Sequence, residues 1–141
     1  MGAESDVIRV SASVIEDISR LLGETPYETG GLIGSSDNDV IDSFCFIEGR
    51  DSSATEYIPN VELMQQGIMM WDEKHIRFKG IIHSHLDYQH LSVKDIEMAR
   101  KILSINSLSS ILLPVFVVQG QRLIWYEVGA DNMVRKDSII L

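Results

Sequence analysis

Apolar positions along this chain switch between the strict alternation of a strand and the three-or-four spacing of a helix. Val7 to Val10 predicts a short opening strand. Ser13-Val14-Ile15-Glu16 has the form of a capping box, and Ile15, Ile18, Leu21 and Leu22 follow at helical spacing until Gly23, with Pro26 beyond it. Glu28 to Ser35 reads as a glycine-rich strand, Asp37-Asn38-Asp39 as a turn, and Val40 to Glu48 as the hairpin partner. Gly49 to Ala54 is a polar loop. Asn60 caps a second predicted helix that runs to about His75, with Leu63, Met64, Ile68 and Trp71 on its apolar face. Phe78 to His83 is a strand, Leu86 to Leu91 a loop, and Ser92 to about Leu103 a helix with Ile96, Ala99, Ile102 and Leu103 inward. Ile111 to Val118 reads as one buried strand, Gln119-Gly120-Gln121 as a turn, and Leu123 to Val128 and Met133 to Ile139 as the last two strands. The expected fold class is α/β: a mixed central sheet of about six or seven strands flanked by about three helices. No repeat or linker divides it, so residues 1–141 are expected to form a single domain.

Composition narrows the function. Hydrophobic residues make up 45% of the chain, enough to build a core and too many for a disordered segment. The net charge of -9 argues against nucleic acid or an anionic membrane as the main partner. Cys45 is the only cysteine, which excludes internal disulfides and cysteine-based zinc sites; it reads as a small core residue. There is no basic-then-apolar leader, and the apolar run Ile111 to Val118 is only strand-sized, so the reading is a cytoplasmic protein.

The chemistry concentrates in one short run. Gly80-Ile81-Ile82-His83-Ser84-His85 is an apolar strand ending in a His-x-His pair, and Ser92 and Asp95 follow in the first turn of the third helix. Alternate residues of a strand share a face, so the two imidazoles can meet at one point, and a returning carboxylate can complete three ligands. Three protein ligands with an open fourth position is the catalytic form of a zinc site. Ser92-x-x-Asp95 also has the form of an N-cap with an acidic third residue, and both roles are compatible. Such a site needs a proton acceptor near the metal; Glu28, before Gly30 and Gly31, is the candidate, although spacing alone does not bring it to His83. His75 reads as structural, His90 and Asp87 as solvated loop residues, and Met64, Met69 and Met70 as core or interface filler.

Taken together, Glu28, His83-Ser84-His85 and Ser92-Val93-Lys94-Asp95 resemble the JAMM motif of the MPN+ (JAB) metalloprotease domain. Tyr27-Glu28-Thr29-Gly30-Gly31-Leu32-Ile33-Gly34 and Tyr57-Ile58-Pro59-Asn60 look like the bacterial members, and the resemblance runs from about Glu28 to Leu103. It implies a single MPN-like domain in which His83, His85 and Asp95 bind Zn2+, Glu28 is general base and then general acid, and Ser92 steadies the oxyanion or the water. It implies cleavage after the C-terminal glycine of a ubiquitin-like protein, from conjugates or from a precursor, with cognate activating (E1-like) and conjugating (E2-like) enzymes as further partners. Some bacterial members sit in phage-defence operons, and others process sulfur-carrier proteins. Two departures stand out: the loop Leu86 to Leu91 is one residue shorter than the family's usual spacing, and Leu86 replaces its usual proline. The long substrate-clamping insertion of some eukaryotic members is missing between Leu103 and Ile111, which leaves specificity to Ser53 to Asn60 and the second helix.

Three rivals compete with that reading. One is an inactive MPN-type scaffold. Another is a metallo-β-lactamase-like hydrolase, for which His83-x-His85-x-Asp87 is the right start but Tyr88 stands where the next histidine belongs. The third is an interaction module with structural histidines.

Overall fold

The computed structural model describes residues 7–25, 27–37, 39–49 and 59–141. Pro26, Asn38, the loop after Gly49, and Ser53 to Ile58 of the expected specificity segment lie outside the described residues. In chain order the elements are β1 (Val7–Val10), α1 (Ala12–Gly23), β2 (Gly30–Ser35), β3 (Ser43–Ile47), α2 (Val61–Glu73), β4 (Arg77–His85), α3 (Val93–Ile105), β5 (Ser110–Leu112), β6 (Val115–Val117), β7 (Arg122–Gly129) and β8 (Met133–Ile140). The strands form one mixed sheet in the order β1-β8-β7-β5-β4-β2-β3, with β6 between β4 and β7. A parallel bridge Val10↔Ile41 ties the β1 end of this order to the residues leading into β3, so the sheet curls back on itself and shields part of both edges. No helix among the described residues is long and apolar enough to cross a membrane.

Alternation along the central strands sorts side chains onto two faces. Leu32, Ile81, Ile111 and Leu113 pack with Met64 of α2 and Ala99, Ile102 and Leu103 of α3. Their neighbours Ile33, Ile82 and Leu112 pack on the other face with Val14, Ile18 and Leu22 of α1. Hence α2 and α3 cover one side and α1 the other.

The sequence expectations need three corrections. The cap of α1 is Ser11, whose Oγ accepts from the Val14 N–H at 3.3 Å; the Ser13 box does not form. The chain leaves β1 at Val10 and Ser11 donates its N–H to the Ile41 carbonyl, so the helix starts as soon as the strand ends. Leu63 of α2 is 41% exposed, and Val61, Met64, Ile68 and Trp71 make the inward line. α2 ends close to where it was expected: His75, with φ 61°, donates its N–H to the Asp72 carbonyl at 3.1 Å and closes the last turn. The predicted strand Ile111 to Val118 is two strands, β5 and β6, interrupted at Pro114. Proline has no N–H to give to a ladder. The register still runs through, Gly80↔Leu112 before the break and His83↔Val115 after it, so the eighth strand comes from an interrupted ladder and not from a new path of the chain.

Candidate metal centre

β4 is held on both sides where it matters. His83 pairs with Gly30 of β2 and Val115 of β6, and His85 with Val117. Because Ile81 faces α2 and α3, alternation points His83 and His85 to that face as well. Both are buried, at 0% and 1% exposure.

α3 starts on the same face. Ser92 is its N-cap, and the box is reciprocal: Ser92 Oγ accepts from the Asp95 N–H at 3.1 Å, while Asp95 Oδ2 accepts from the Ser92 N–H at 2.8 Å. That same Oδ2 lies 3.1 Å from His83 Nε2 and 3.2 Å from His85 Nε2. One ligand atom from each of His83, His85 and Asp95 falls within 4.8 Å of the others, a group that could hold a metal ion. Burial works to raise the Asp95 carboxyl, but the facing His83 and His85 rings and the Ser92 N–H outweigh it and hold it well below the usual carboxylate range.

His83 is the sharpest test of whether a metal fits. Neither ring nitrogen has a hydrogen-bond partner in a fully buried setting; Nε2 approaches Asp95 Oδ2 without lining up as a hydrogen bond. Leaving a buried polar group unsatisfied costs about 1–3 kcal/mol. A cation shared by the three side chains would take the Nε2 lone pair and remove part of that cost. His85 is satisfied at the other end of its ring, where Nδ1 lies 3.2 Å from the Tyr88 carbonyl oxygen. A ring that donates Nδ1–H presents the Nε2 lone pair to its ligand point, the usual arrangement of metal-binding histidines.

The short loop Leu86 to Leu91 is pinned along its length. Val118 N–H donates to the His85 carbonyl and Gln119 N–H to the Leu86 carbonyl, both at 2.9 Å. Tyr126 Oη donates to the Gln89 carbonyl at 2.9 Å, and Leu91 packs into the apolar cluster of Val115, Val117, Ile124 and Tyr126. Lacking one residue against the family spacing, it still lands Asp95 on both histidines.

Register brings in Glu28. Gly30 lies opposite His83 and Leu32 opposite Ile81, and residues opposite each other share a face. Two residues before Gly30, Glu28 therefore falls on the face of His83 and His85. It is 2% exposed. Ser84, between the histidines on the opposite face, clamps this strand end: its N–H donates to the Thr29 carbonyl at 2.7 Å, and its Oγ accepts from the Thr29 N–H at 2.9 Å.

Tyr88 joins the parts, and sequence reading passed over it. Its ring stacks on His85 with centroids 3.9 Å apart, and its hydroxyl donates to Glu28 Oε2 at 3.4 Å. Burial, with the negative charges of Glu28 and Asp95, pushes its phenol up to about 12, so it remains a donor at neutral pH. A loop aromatic near a ligand carries no distinguishing signal in one sequence. Asp87 and His90 are exposed and are not in the ligand group, as is His75. Cys45 is partly buried against the α2/α3 core, and burial pushes its thiol up.

Comparison with solved structures speaks to the fold. AF2198, a JAB1/MPN domain protein from Archaeoglobus fulgidus, matches with a TM-score of 0.53 at 14% identity, over 94% of this chain and 98% of that one. The fold is MPN-like. Protein DSY2949 from Desulfitobacterium hafniense matches with a TM-score of 0.76 at 15% identity, over 96% of this chain and 93% of that one. No family model matches the sequence, and neither does any curated protein. The MPN-like fold thus stands on shape, and the ligand group on this chain's own geometry.

Proposed function

We propose that this chain is a zinc-dependent peptidase or isopeptidase that cleaves after the C-terminal glycine of a ubiquitin-like protein. The observation that carries the metal part is the buried His83 ring, with no hydrogen bond at either nitrogen and aimed with His85 at one Asp95 oxygen. Two imidazole nitrogens and one carboxylate oxygen suit zinc in its catalytic form. The motif resemblance supports the substrate class, and the MPN-like fold is compatible with it.

His83, His85 and Asp95 would hold the ion. A zinc ion there supplies Lewis acidity toward a carbonyl and a nucleophile at neutral pH. Glu28, buried on the same face, takes the proton of the attacking water and returns it to the leaving amine. Ser92 Oγ accepts from the Asp95 N–H, and a hydroxyl that accepts one hydrogen bond keeps its own proton to donate to the developing oxyanion. The natural partners on this reading are a ubiquitin-like protein or its conjugates and cognate activating and conjugating enzymes. The setting is the bacterial cytoplasm, including defence operons that encode such a system.

The test begins with metal content per chain for wild type and Asp95→Ala, purified without chelator. About one zinc in the wild type and little in the variant, with cleavage of ubiquitin-like fusions by the wild type alone, is the expected result. A folded wild type that takes up no metal would establish the scaffold reading instead.

A further inference from the structure

We infer that Tyr88 is a positioning residue that sets two groups at once: its backbone carbonyl and ring orient His85, and its hydroxyl restrains Glu28. The inference rests on the reading of His85 as a metal ligand and Glu28 as the base. Three contacts made by one residue carry it. The carbonyl oxygen lies 3.2 Å from His85 Nδ1, which fixes which ring nitrogen faces Asp95. The phenol ring lies over the imidazole at 3.9 Å, tilted by 20°, which limits rotation of the ligand ring. The hydroxyl reaches Glu28 Oε2 at 3.4 Å, across a sequence separation of 60.

The arrangement joins both halves of the site. His85 comes from the end of β4, and Glu28 from the residues before β2. Between these two strands the clamp of Ser84 on Thr29 acts through the side chain on the opposite face. Tyr88 supplies a restraint on the ligand face. Its loop is itself tied down next door, where Arg122 Nη1 donates to Gln89 Oε1 at 3.0 Å and Tyr126 Oη to the Gln89 carbonyl. Tyr88 keeps 38% of its surface exposed, so removing the ring opens solvent-facing space and does not hollow out a core.

Two variants separate the roles. Tyr88→Phe keeps the ring and the carbonyl and loses the hydroxyl, whereas Tyr88→Ala also loses the ring. Both are titrated with Co2+ against a competing chelator, following the visible spectrum of the bound ion, and assayed for kcat and KM on a ubiquitin-like fusion. Tyr88→Phe is expected to bind Co2+ with wild-type affinity and spectrum, with kcat lower by about tenfold and KM unchanged, the size of losing one hydrogen bond to a charged group. Tyr88→Ala is expected to weaken Co2+ binding by about tenfold and to alter the spectrum, the usual consequence of removing a partner behind a metal ligand. A Tyr88→Ala protein with wild-type affinity and spectrum overturns the role at His85, and a Tyr88→Phe protein with wild-type kcat overturns the role at Glu28. The metal titration needs no substrate. A wild type that binds no Co2+ overturns the functional reading itself, which is distinct from a wild type that binds it with variants that do not differ.

Discussion

His83 and Glu28 occupy one face of the sheet but answer to different demands. The first is a buried base without a hydrogen bond at either ring nitrogen, which a cation would satisfy; the second is a buried acid two residues upstream of the strand position that pairs with His83. Their replacement should therefore split two properties. Glu28→Ala should keep its metal while turnover falls by at least about a hundredfold, the scale of general acid–base catalysis. His83→Ala should lose metal and turnover together, as metal analysis beside a cleavage assay would show. Ser92 holds two jobs that a pair of variants separates. Ser92→Ala should lower stability by about 1 kcal/mol in urea denaturation, whereas Ser92→Gly loses only a few tenths, because glycine is tolerated as an N-cap. If the hydroxyl serves the oxyanion, both variants should lose turnover alike despite their different stabilities.

At the scale of elements, β4 is the part that tolerates least. A Cβ on Gly80 would run into the Leu112 carbonyl of β5, and neither backbone can retreat without disturbing the sheet. Gly80→Ala should lower the unfolding free energy by at least about 2 kcal/mol in chemical denaturation. Gly23, at the end of α1, is the control: its Cβ would meet only the Phe116 ring at an ordinary 3.6 Å. Gly23→Ala should be neutral or stabilising by up to about 1 kcal/mol, through helix propensity. Most elements were legible because their periodicity was clean, as with Val14, Ile18 and Leu22 in α1 or Ala99, Ile102 and Leu103 in α3. The misreadings fall where tertiary contacts decided between local options. Ser11 and Ser13 are equally good caps by residue type, and the bond of Ser11 to Ile41 selects the first. Leu63 and Val61 are both apolar, and only docking of α2 on the sheet decides which is inward.

At the scale of the whole molecule, metal and fold are coupled. The three candidate ligands come from β4 and α3, so an ion joining them binds the folded chain and not the unfolded one. Free metal at a hundred times its dissociation constant should stabilise the protein by about 2.7 kcal/mol, visible as a rise in Tm that chelator reverses and His83→Ala abolishes. In the metal-free protein Asp95 sets an acid limit. Its folded carboxyl is held below the ordinary aspartate value, so its stabilising contribution is full above that value and is lost as the pH falls below it. Asp95→Asn should flatten this part of a Tm-against-pH curve.

The sequence by itself determined the α/β class, the order of elements and the identity of the ligand candidates. Those follow from local rules: period two for β4, a helical period after Ser92, and a His-x-His that must put both rings on one face. Tertiary structure alone decided what meets what. The pairing of Gly30 with His83 brings Glu28 to the histidines from 55 residues away, by register and not by spacing. Docking of the shortened loop on β6 and β7 sets Asp95 at both rings, and the same loop carries Tyr88 across to Glu28. Chain distance says nothing about such contacts, because they depend on which strands pair and how the chain returns between them.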